Sequence, residues 1–318
     1  MTMWFEILGG LALLLIGGEL LVRGAVASAK SLGVSPLLIG LTLVGFGTST
    51  PELVTSVTAA LNNSPGIAVG NVVGSNTANI LLILGIAAMI YPLAIDPKGF
   101  RRDAIMVVVA ALACLLVVMN GFMDRWMGFV FVAALFAYVI YVYRSEKRAP
   151  DEAAIVAEHR AEDAPKGPGK MALSIAMAVG GIAITIFGAR YLVSGSIELA
   201  KGFGISDTII GLTIVAVGTS MPELVSSVIA ALRKHSDVAY GNIIGSNIYN
   251  VLFILGATAI ISPIEMPAQI AALDIWVMLA ATALLVFFAR SGFKLQRWEG
   301  MAFVVAYIGY TAYLISIA

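Results

Sequence analysis

Long apolar stretches dominate this chain, and they constrain its fold more than any other feature. A helix needs roughly 20 apolar residues to cross about 30 Å of hydrocarbon. Ten stretches meet that requirement, at about residues 5–29, 35–61, 66–91, 103–121, 125–143, 171–200, 206–232, 238–261, 273–290 and 298–317. The chain is 60% hydrophobic and only 12% charged, unlike a soluble domain. We therefore predict an all-α polytopic membrane protein with ten transmembrane helices.

Positive charges are unevenly distributed between the segments that join these spans. If the N-terminus lies outside, the inner segments carry fifteen of the 19 Lys and Arg residues, and the outer segments carry only Arg125 and Lys201. Cytoplasmic loops of membrane proteins are enriched in Lys and Arg. The sequence therefore predicts a protein of the cell inner (plasma) membrane, with both termini outside. Residues 144–170, rich in charge, Ala and Pro, form a cytoplasmic linker in this prediction.

Two segments of the chain recur at a constant offset of 171 residues. Residues 40–61 align without gaps with residues 211–232, and sixteen of the twenty-two positions are identical. Residues 70–85 match residues 241–256 at the same offset. The two halves of the chain therefore contain copies of one unit.

Each copy contains five of the predicted spans. The first covers residues 1–143, with its motif segment at 40–85, and the second covers residues 171–318, with its motif segment at 211–256. Because five is odd, the second copy enters the membrane from the opposite side. We predict two inverted five-helix repeats, an arrangement that places a substrate site near the bilayer midplane.

The sequence GTSTPEL in the first copy recurs as GTSMPEL in the second, and it places charge and proline inside apolar spans. An ionised carboxylate near the bilayer centre costs at least about 2.5–3.5 kcal/mol, so Glu52 and Glu223 require compensation. Pro51 and Pro222 each remove a backbone donor. We predict that the second and seventh helices, and also the third and eighth, are broken or kinked at the midplane. Such backbone is tolerated where it lines a cavity.

The polar groups of both motifs are oxygen-rich. Beside the two glutamates stand the hydroxyls of Thr48, Ser49, Thr219 and Ser220. A second motif, GSNTAN or GSNIYN, adds Ser75, Asn76, Asn79, Ser246, Asn247 and Asn250. Ca²⁺ takes six to eight oxygen ligands in flexible geometry, and two carboxylates balance its charge. The motifs contain no His or Cys, which disfavours zinc or copper.

A third glutamate, Glu19, lies in the first predicted span. It stands four residues before Arg23, and we interpret the two as a structural ion pair on one helix face. The repeat alignment also places Glu19 opposite Arg190, so a pairing between the two halves is an alternative.

The motifs GTSTPE…GNVVGSNTAN and GTSMPE…GNIIGSNIYN resemble the α-repeats of the calcium/cation antiporter superfamily, specifically those of prokaryotic Na⁺/Ca²⁺ exchangers. The resemblance covers nearly the whole chain. It implies a secondary active antiporter that exchanges Ca²⁺ for Na⁺ by alternating access, with the first and sixth helices sliding across the other eight. If three Na⁺ replace one Ca²⁺, as the family implies, exchange is electrogenic. The inside-negative potential then favours Na⁺ entry and Ca²⁺ export.

The resemblance also implies which residues hold the ions. Calcium would be bound by Glu52 and Glu223, with backbone carbonyls near Thr48 and Thr219. Sodium sites would draw on Gly45, Thr48, Ser49, Glu52, Ser75, Ala216, Thr219, Ser220, Glu223 and Ser246. The site would be lined by Asn79, Asn250, Pro51 and Pro222. Some relatives have Asp where this chain has Asn250, so the core holds two carboxylates, which argues against potassium dependence.

Other functions remain alternatives at this point. A Ca²⁺/H⁺ antiporter could use the same scaffold, because buried glutamates can titrate. A cation channel is disfavoured by the inverted repeat. An Asp pair, a Ser/His dyad and an HExxH motif are all missing from the sequence, so we do not expect an enzyme.

The binding partners that the sequence predicts are few. We expect no cofactor beyond the transported ions, Ca²⁺ and Na⁺ or H⁺. The balance of 19 basic and 19 acidic residues gives no sign of a nucleic-acid partner. The lipid bilayer is expected around the protein, and no protein partner can be inferred.

Overall fold

The chain is built almost entirely from helices in a computed structural model that describes residues 2–32, 36–61, 63, 65–147, 168–202 and 216–317. The helices of the first half are α1 Thr2–Leu32, α2 Pro36–Ile39, α3 Gly45–Thr48, α4 Thr50–Leu61, α5 Pro65–Ala78, α6 Gly85–Ile90, α7 Pro97–Asn120 and α8 Arg125–Lys147. Those of the second half are α9 Pro168–Gly202, α10 Ala216–Thr219, α11 Met221–Leu232, α12 Ser236–Tyr249, α13 Gly256–Ile261, α14 Ile275–Arg290 and α15 Arg297–Ile317. Most of the predicted linker, residues 148–167, lies outside the described residues.

Eight helical segments in the described part of the chain are long and apolar enough to cross a bilayer. They coincide with all the predicted spans except the second and the seventh. The second span consists of α2, a π-helical turn at Gly40–Val44, α3 and α4, and it is interrupted at Ser49. The described part of the seventh consists of α10 and α11, while residues 203–215 lie outside the described residues. The protein is thus a multi-pass membrane protein.

The third and eighth spans stay helical through their middles. The departure from α geometry there is a π-helical turn, Asn79–Leu84 after α5 and Asn250–Leu255 after α12. A π-helical turn inside an α-helix is rare and frequently marks a functional site. Both turns begin at an asparagine that the sequence resemblance placed in the site.

The two spans that carry the second motif form the centre of the molecule. Within the most apolar window, 72% of the third span, Pro65–Ile90, and 83% of the eighth, Ser236–Ile261, is buried, against 17% of the tenth, Arg297–Ser316. Large apolar side chains on the outer helices are exposed, among them Trp126 and Phe287. That exposed apolar surface suits contact with lipid, whereas the central pair is shielded from it.

Helices α1 and α9 lie side by side and run antiparallel. A Cβ atom added at Gly17 would lie 2.9 Å from the carbonyl oxygen of Gly181, and one at Gly188 would lie 2.8 Å from the backbone nitrogen of Leu14. Only glycine permits backbones to approach this closely. In the repeat alignment, α1 and α9 occupy equivalent positions in the two halves.

Two short antiparallel ribbons connect the halves. Strand β1, Leu93–Ala94, pairs with β4, Lys294–Leu295, and strand β2, Phe122–Met123, pairs with β3, Ile264–Glu265. Each ribbon therefore joins a loop of the first half to a loop of the second.

Both halves also contain an aspartate–tyrosine hydrogen bond that the sequence did not reveal. Tyr138 in α8 donates to Asp103 in α7 at 2.8 Å, and Tyr310 in α15 donates to Asp274 at 2.6 Å. Asp103 is fully buried and also accepts from the guanidinium of Arg102. These bonds connect neighbouring helices within each half.

Glu19 is held by two arginines. It pairs with Arg23 on the same helix, as predicted. It also pairs with Arg233, which directly follows α11, and the Nε atom of Arg233 lies 2.7 Å from Glu19 Oε2. The partner from the second half is therefore Arg233, and the alternative pairing with Arg190 is wrong. Repeat alignment gives equivalent positions, which need not face each other across an interface.

Candidate ion-binding site

Two single-residue interruptions of the helices create the site. Ser49 separates α3 from α4 with φ −82° and ψ 9°, and Ser220 separates α10 from α11 with φ −88° and ψ 9°. These angles lie in the bridge region, outside ordinary helix geometry. Pro51 and Pro222 follow in the first turn of α4 and α11, where a helix needs no backbone donor. The prolines therefore begin the second helical fragment instead of kinking a continuous helix.

Each serine at an interruption donates a hydrogen bond to the glutamate of the other half. Ser49 Oγ donates to Glu223 Oε1 at 2.8 Å, and Ser220 Oγ donates to Glu52 Oε1 at 3.0 Å. Both glutamates are buried, with relative exposures of 1% for Glu52 and 0% for Glu223. The crossed bonds bring the two interruptions and the two acids to one place.

Four buried oxygens at this place have no hydrogen-bond partner in the part of the chain that the structure describes. They are Glu52 Oε2, Glu223 Oε2, Asn79 Oδ1 and Asn250 Oδ1. A buried acceptor without a donor costs about 1–3 kcal/mol, and more when it is charged. The four atoms are hard oxygen ligands, and two belong to carboxyl groups. Oxygens of this kind are the ligands that Ca²⁺ prefers in proteins.

Hydrogen bonds between the halves hold the asparagines. Asn79 Nδ2 donates to Asn247 Oδ1 at 3.0 Å, and Asn250 Nδ2 donates to Asn76 Oδ1 at 3.0 Å. Asn76 Nδ2 also lies 3.4 Å from the backbone carbonyl oxygen of Asn247. These bonds fix the orientation of the Asn79 and Asn250 amides. Their amide oxygens, which accept no hydrogen bond from the described residues, remain available as ligands.

Ser75 and Ser246 lie beside the serine–glutamate pairs. Ser75 Oγ is 3.3 Å from Ser220 Oγ, and Ser246 Oγ is 3.4 Å from Glu223 Oε1. Ser246 Oγ is also 3.5 Å from the carbonyl oxygen of Gly45. The structure thus brings these three residues to the edge of the glutamate pair.

The threonine hydroxyls contact amide oxygens of the opposite half of the chain. Thr48 Oγ1 lies 3.0 Å from the carbonyl oxygen of Val44 and 3.3 Å from Asn242 Oδ1, and its single hydroxyl proton can be donated to either oxygen. Thr219 Oγ1 lies 3.4 Å from Asn71 Oδ1. Ala216, the other residue assigned to sodium by resemblance, begins α10.

Asn71 and Asn242 are the residues that sequence reasoning missed. Each amide nitrogen contacts the backbone carbonyl oxygen of a site glutamate, Asn71 with Glu52 at 3.1 Å and Asn242 with Glu223 at 3.3 Å. The signal was present in the sequence, because a GN pair opens both copies of the second motif, GNVVGSN and GNIIGSN.

Comparison with known proteins identifies the family. The family model described as "Sodium/calcium exchanger protein" matches residues 2–144 and 173–316, which is most of the chain. The chain belongs to this sodium/calcium exchanger family. Members of the family are transporters of Ca²⁺ and Na⁺, in agreement with the antiporter resemblance of the two motifs.

Relatives of this exchanger share nearly its whole length. The protein named "Putative antiporter CaxA" of Alkalimonas amylolytica is 38% identical over 313 residues, which cover 98% of each chain. "Sodium/calcium exchanger MaX1" of Methanosarcina acetivorans is 33% identical over an alignment that covers 96% of each chain. The chain is therefore a prokaryotic member of the calcium/cation antiporters.

A solved structure shows the same fold. The sodium-calcium exchanger NCX_Mj, soaked with 2.5 mM Na⁺ and 0.1 mM Ca²⁺, superposes with a TM-score of 0.84 at 29% sequence identity. The match covers 98% of this chain and 97% of that one. The helical membrane fold predicted from the sequence is confirmed at this level.

Proposed function

We propose that this exchanger moves Ca²⁺ and Na⁺ in opposite directions through the site between Glu52 and Glu223. The observation that carries the proposal is the set of four buried oxygens, two from each half of the chain, that have no hydrogen-bond partner among the described residues. Two carboxylates balance the charge of one Ca²⁺, and amide oxygens add neutral ligands in the flexible geometry that this ion accepts.

The ligands are divided between the two ions. Ca²⁺ binds the carboxylates of Glu52 and Glu223 and the backbone carbonyls of Thr48 and Thr219, and Asn79 and Asn250 line the site. Na⁺ binds at flanking positions that share both carboxylates and use the oxygens of Gly45, Thr48, Ser49, Ser75, Ala216, Thr219, Ser220 and Ser246. The proximity of Ser75 Oγ to Ser220 Oγ, at 3.3 Å, and of Ser246 Oγ to the carbonyl oxygen of Gly45, at 3.5 Å, supports two such flanking positions.

The two halves form an inverted repeat, and access to the site alternates when α1 and α9 slide together across the other helices. The antiparallel, backbone-to-backbone packing of these two helices supports their movement as one unit. Their contacts with the core use the ends of side chains instead. A Cβ at Gly18 of α1 would lie 2.7 Å from Ile229 Cδ1, and a Cβ at Gly47 would meet the side chain of Ile182. Flexible side-chain ends resist sliding less than interlocked backbones do.

Charge and orientation set the physiological direction. With both termini outside and the linker in the cytoplasm of a plasma-membrane protein, the positive residues lie on the inner side. Two carboxylates that exchange one Ca²⁺ for three Na⁺ carry one extra positive charge in the sodium-loaded state. An inside-negative potential then drives Na⁺ inward and Ca²⁺ outward.

Counter-ion-dependent flux tests this proposal. The purified chain in liposomes should take up ⁴⁵Ca²⁺ when Na⁺ is loaded inside and absent outside, and uptake should stop when the Na⁺ gradient is removed. Vesicles with a pH gradient and no Na⁺ test proton coupling on the same scaffold. Uptake driven by the pH gradient alone, or by neither gradient, would overturn the proposal.

A further inference from the structure

We propose that Asn71 and Asn242 are positioning residues that fix the spacing between the two carboxylates. The inference rests on the proposed function, since it concerns the affinity of that same site. Both asparagines are outside the set of predicted ligands. They contact the backbone beneath each glutamate, and each also reaches the other half of the chain.

Asn242 is fully buried, and both ends of its amide are used. Its Nδ2 lies 2.9 Å from Ser226 Oγ, 2.8 Å from Ser227 Oγ and 3.3 Å from the carbonyl oxygen of Glu223. Its Oδ1 lies 3.3 Å from Thr48 Oγ1. One amide therefore connects the first turn of α11, in the second half, to the end of α3, in the first half.

Asn71 repeats this arrangement with the halves exchanged. Its Nδ2 lies 3.0 Å from Ser56 Oγ and 3.1 Å from the carbonyl oxygen of Glu52. Its Oδ1 lies 3.4 Å from Thr219 Oγ1, at the end of α10. Two equivalent bridges thus run between the helical fragments on either side of the glutamate pair.

The amide of asparagine meets two requirements at these positions. The group must donate to a backbone carbonyl and accept from a threonine hydroxyl, and Asn offers two donors and an acceptor on one short side chain. An aspartate there would place a carboxylate oxygen, which is an acceptor, against the backbone carbonyl oxygen of the glutamate, which is also an acceptor. A leucine would satisfy neither end.

The bridges act on the site through the adjoining serines. Thr48 directly precedes Ser49, and Thr219 directly precedes Ser220. Asn242 contacts both Thr48 and the backbone of Glu223. This bridge therefore also sets the distance between Ser49 Oγ and Glu223 Oε1. When the bridge is lost, the free Oε2 atoms are no longer held at the spacing that a cation requires. Loss of groups that orient metal ligands typically weakens metal binding by about 10–100-fold.

Leucine variants of the full chain test the inference. For Asn242→Leu and Asn71→Leu in liposomes, the Ca²⁺ concentration that gives half-maximal Na⁺-dependent uptake should rise by about 10–100-fold. Maximal flux at saturating Ca²⁺ should fall much less. Asn120→Leu, at an exposed residue that ends α7, is the matched control and should behave as wild type.

A second set of variants keeps the asparagines and removes the cross-half bond. Thr48→Val should weaken Ca²⁺ binding in the same direction, and Thr48→Ser, which keeps the hydroxyl, should restore it. Combining Thr48→Val with Asn242→Leu should cost less than the sum of the two changes, because both remove one interaction. If a leucine variant fails to fold, the Thr48 variants still test the role of the bridge.

The Ca²⁺-induced rise in melting temperature separates positioning from simple support of the fold. A positioning role predicts a reduced rise in both leucine variants. Unchanged half-saturation, an additive Thr48–Asn242 cycle, or a lower melting temperature with the full Ca²⁺-induced rise would each overturn the inference. Failure of the proposed function would look different, since the wild-type chain itself would show no Na⁺-dependent Ca²⁺ uptake.

Discussion

Ser49 Oγ lies 2.8 Å from Glu223 Oε1, although 174 positions of the chain separate the two residues. The equivalent bond in the other direction joins Ser220 to Glu52. Each carboxylate thus has one oxygen held by a serine of the opposite half and one oxygen without a partner among the described residues. This division of each carboxyl group underlies the predictions about ion binding.

The serine hydroxyls should matter more for Na⁺ than for Ca²⁺. In the proposed site, Ser49 and Ser220 provide Na⁺ ligands. For Ser49→Ala or Ser220→Ala, loss of one such contact, worth about 1 kcal/mol, should raise half-saturating Na⁺ roughly fivefold. Exchange of ⁴⁵Ca²⁺ for unlabelled Ca²⁺, measured without Na⁺, should continue. Ser316→Ala, at an exposed serine near the end of α15, is the control. An unchanged Na⁺ dependence would contradict the assignment.

Neutralising either site glutamate should abolish Ca²⁺ transport. Glu52→Gln and Glu223→Gln keep the shape of the side chain and remove one of the two charges that balance Ca²⁺. We expect no ⁴⁵Ca²⁺ uptake above empty liposomes, while the protein elutes as a single species in size-exclusion chromatography. The exposed Glu265 in β3 provides the control, Glu265→Gln. Normal uptake by either site variant would remove that residue from the site.

Membrane potential should change the rate of exchange. With one net charge moved per cycle, each 100 mV contributes about 2.3 kcal/mol to the driving force. In Na⁺-loaded liposomes, each Ca²⁺ that enters is exchanged for three Na⁺ that leave, so one net positive charge moves outward. An inside-positive potential, imposed with valinomycin and K⁺, should therefore accelerate Ca²⁺ uptake. An inside-negative potential should slow it. Uptake that is indifferent to both potentials would rule out the proposed stoichiometry.

Two adjacent glycines in α9 should respond oppositely to alanine. A Cβ at Gly181 would lie 2.7 Å from the carbonyl oxygen of Gly17 and 2.8 Å from Leu21 Cα, whereas a Cβ at Gly180 would meet nothing within 4 Å. Gly181→Ala should therefore destabilise the protein by about 1–3 kcal/mol through overpacking. Gly180→Ala should be neutral or stabilising by up to about 1 kcal/mol, because alanine favours the helix.

Thermal unfolding in detergent measures this difference. The Gly181→Ala variant should melt several degrees below wild type, and the Gly180→Ala variant should not. Equal melting temperatures for the two variants would show that α1 and α9 do not pack through their backbones as described.

The sequence alone predicted the features that depend on burial in the lipid hydrocarbon and on the internal repeat of the chain. Apolar length identified the eight long membrane helices of the described residues, because lipid excludes backbone that is not internally bonded. The recurrence of Glu52 as Glu223 pointed to a shared polar site, because a buried carboxylate is too costly to duplicate without a purpose. The structure brings these two residues together.

Side-chain partners on different helices were beyond the sequence. Hydropathy and spacing fix neither the rotation of a helix about its axis nor its depth against a neighbour. The pairing of Glu19 with Arg233, the bond of Asp103 to Tyr138 and the contacts of Asn242 all depend on those two quantities. The alignment gave the equivalence of residues in the two copies, and only the packing of the helices determined which residues touch.

The ribbons have a consequence for how the protein is made. Leu93 of β1 faces Leu295 of β4, and Met123 of β2 faces Ile264 of β3. During synthesis, the strand edges of the first half leave the ribosome long before their partners exist. The nascent chain must therefore hold these two backbone edges unpaired until β3 and β4 of the second half have been made.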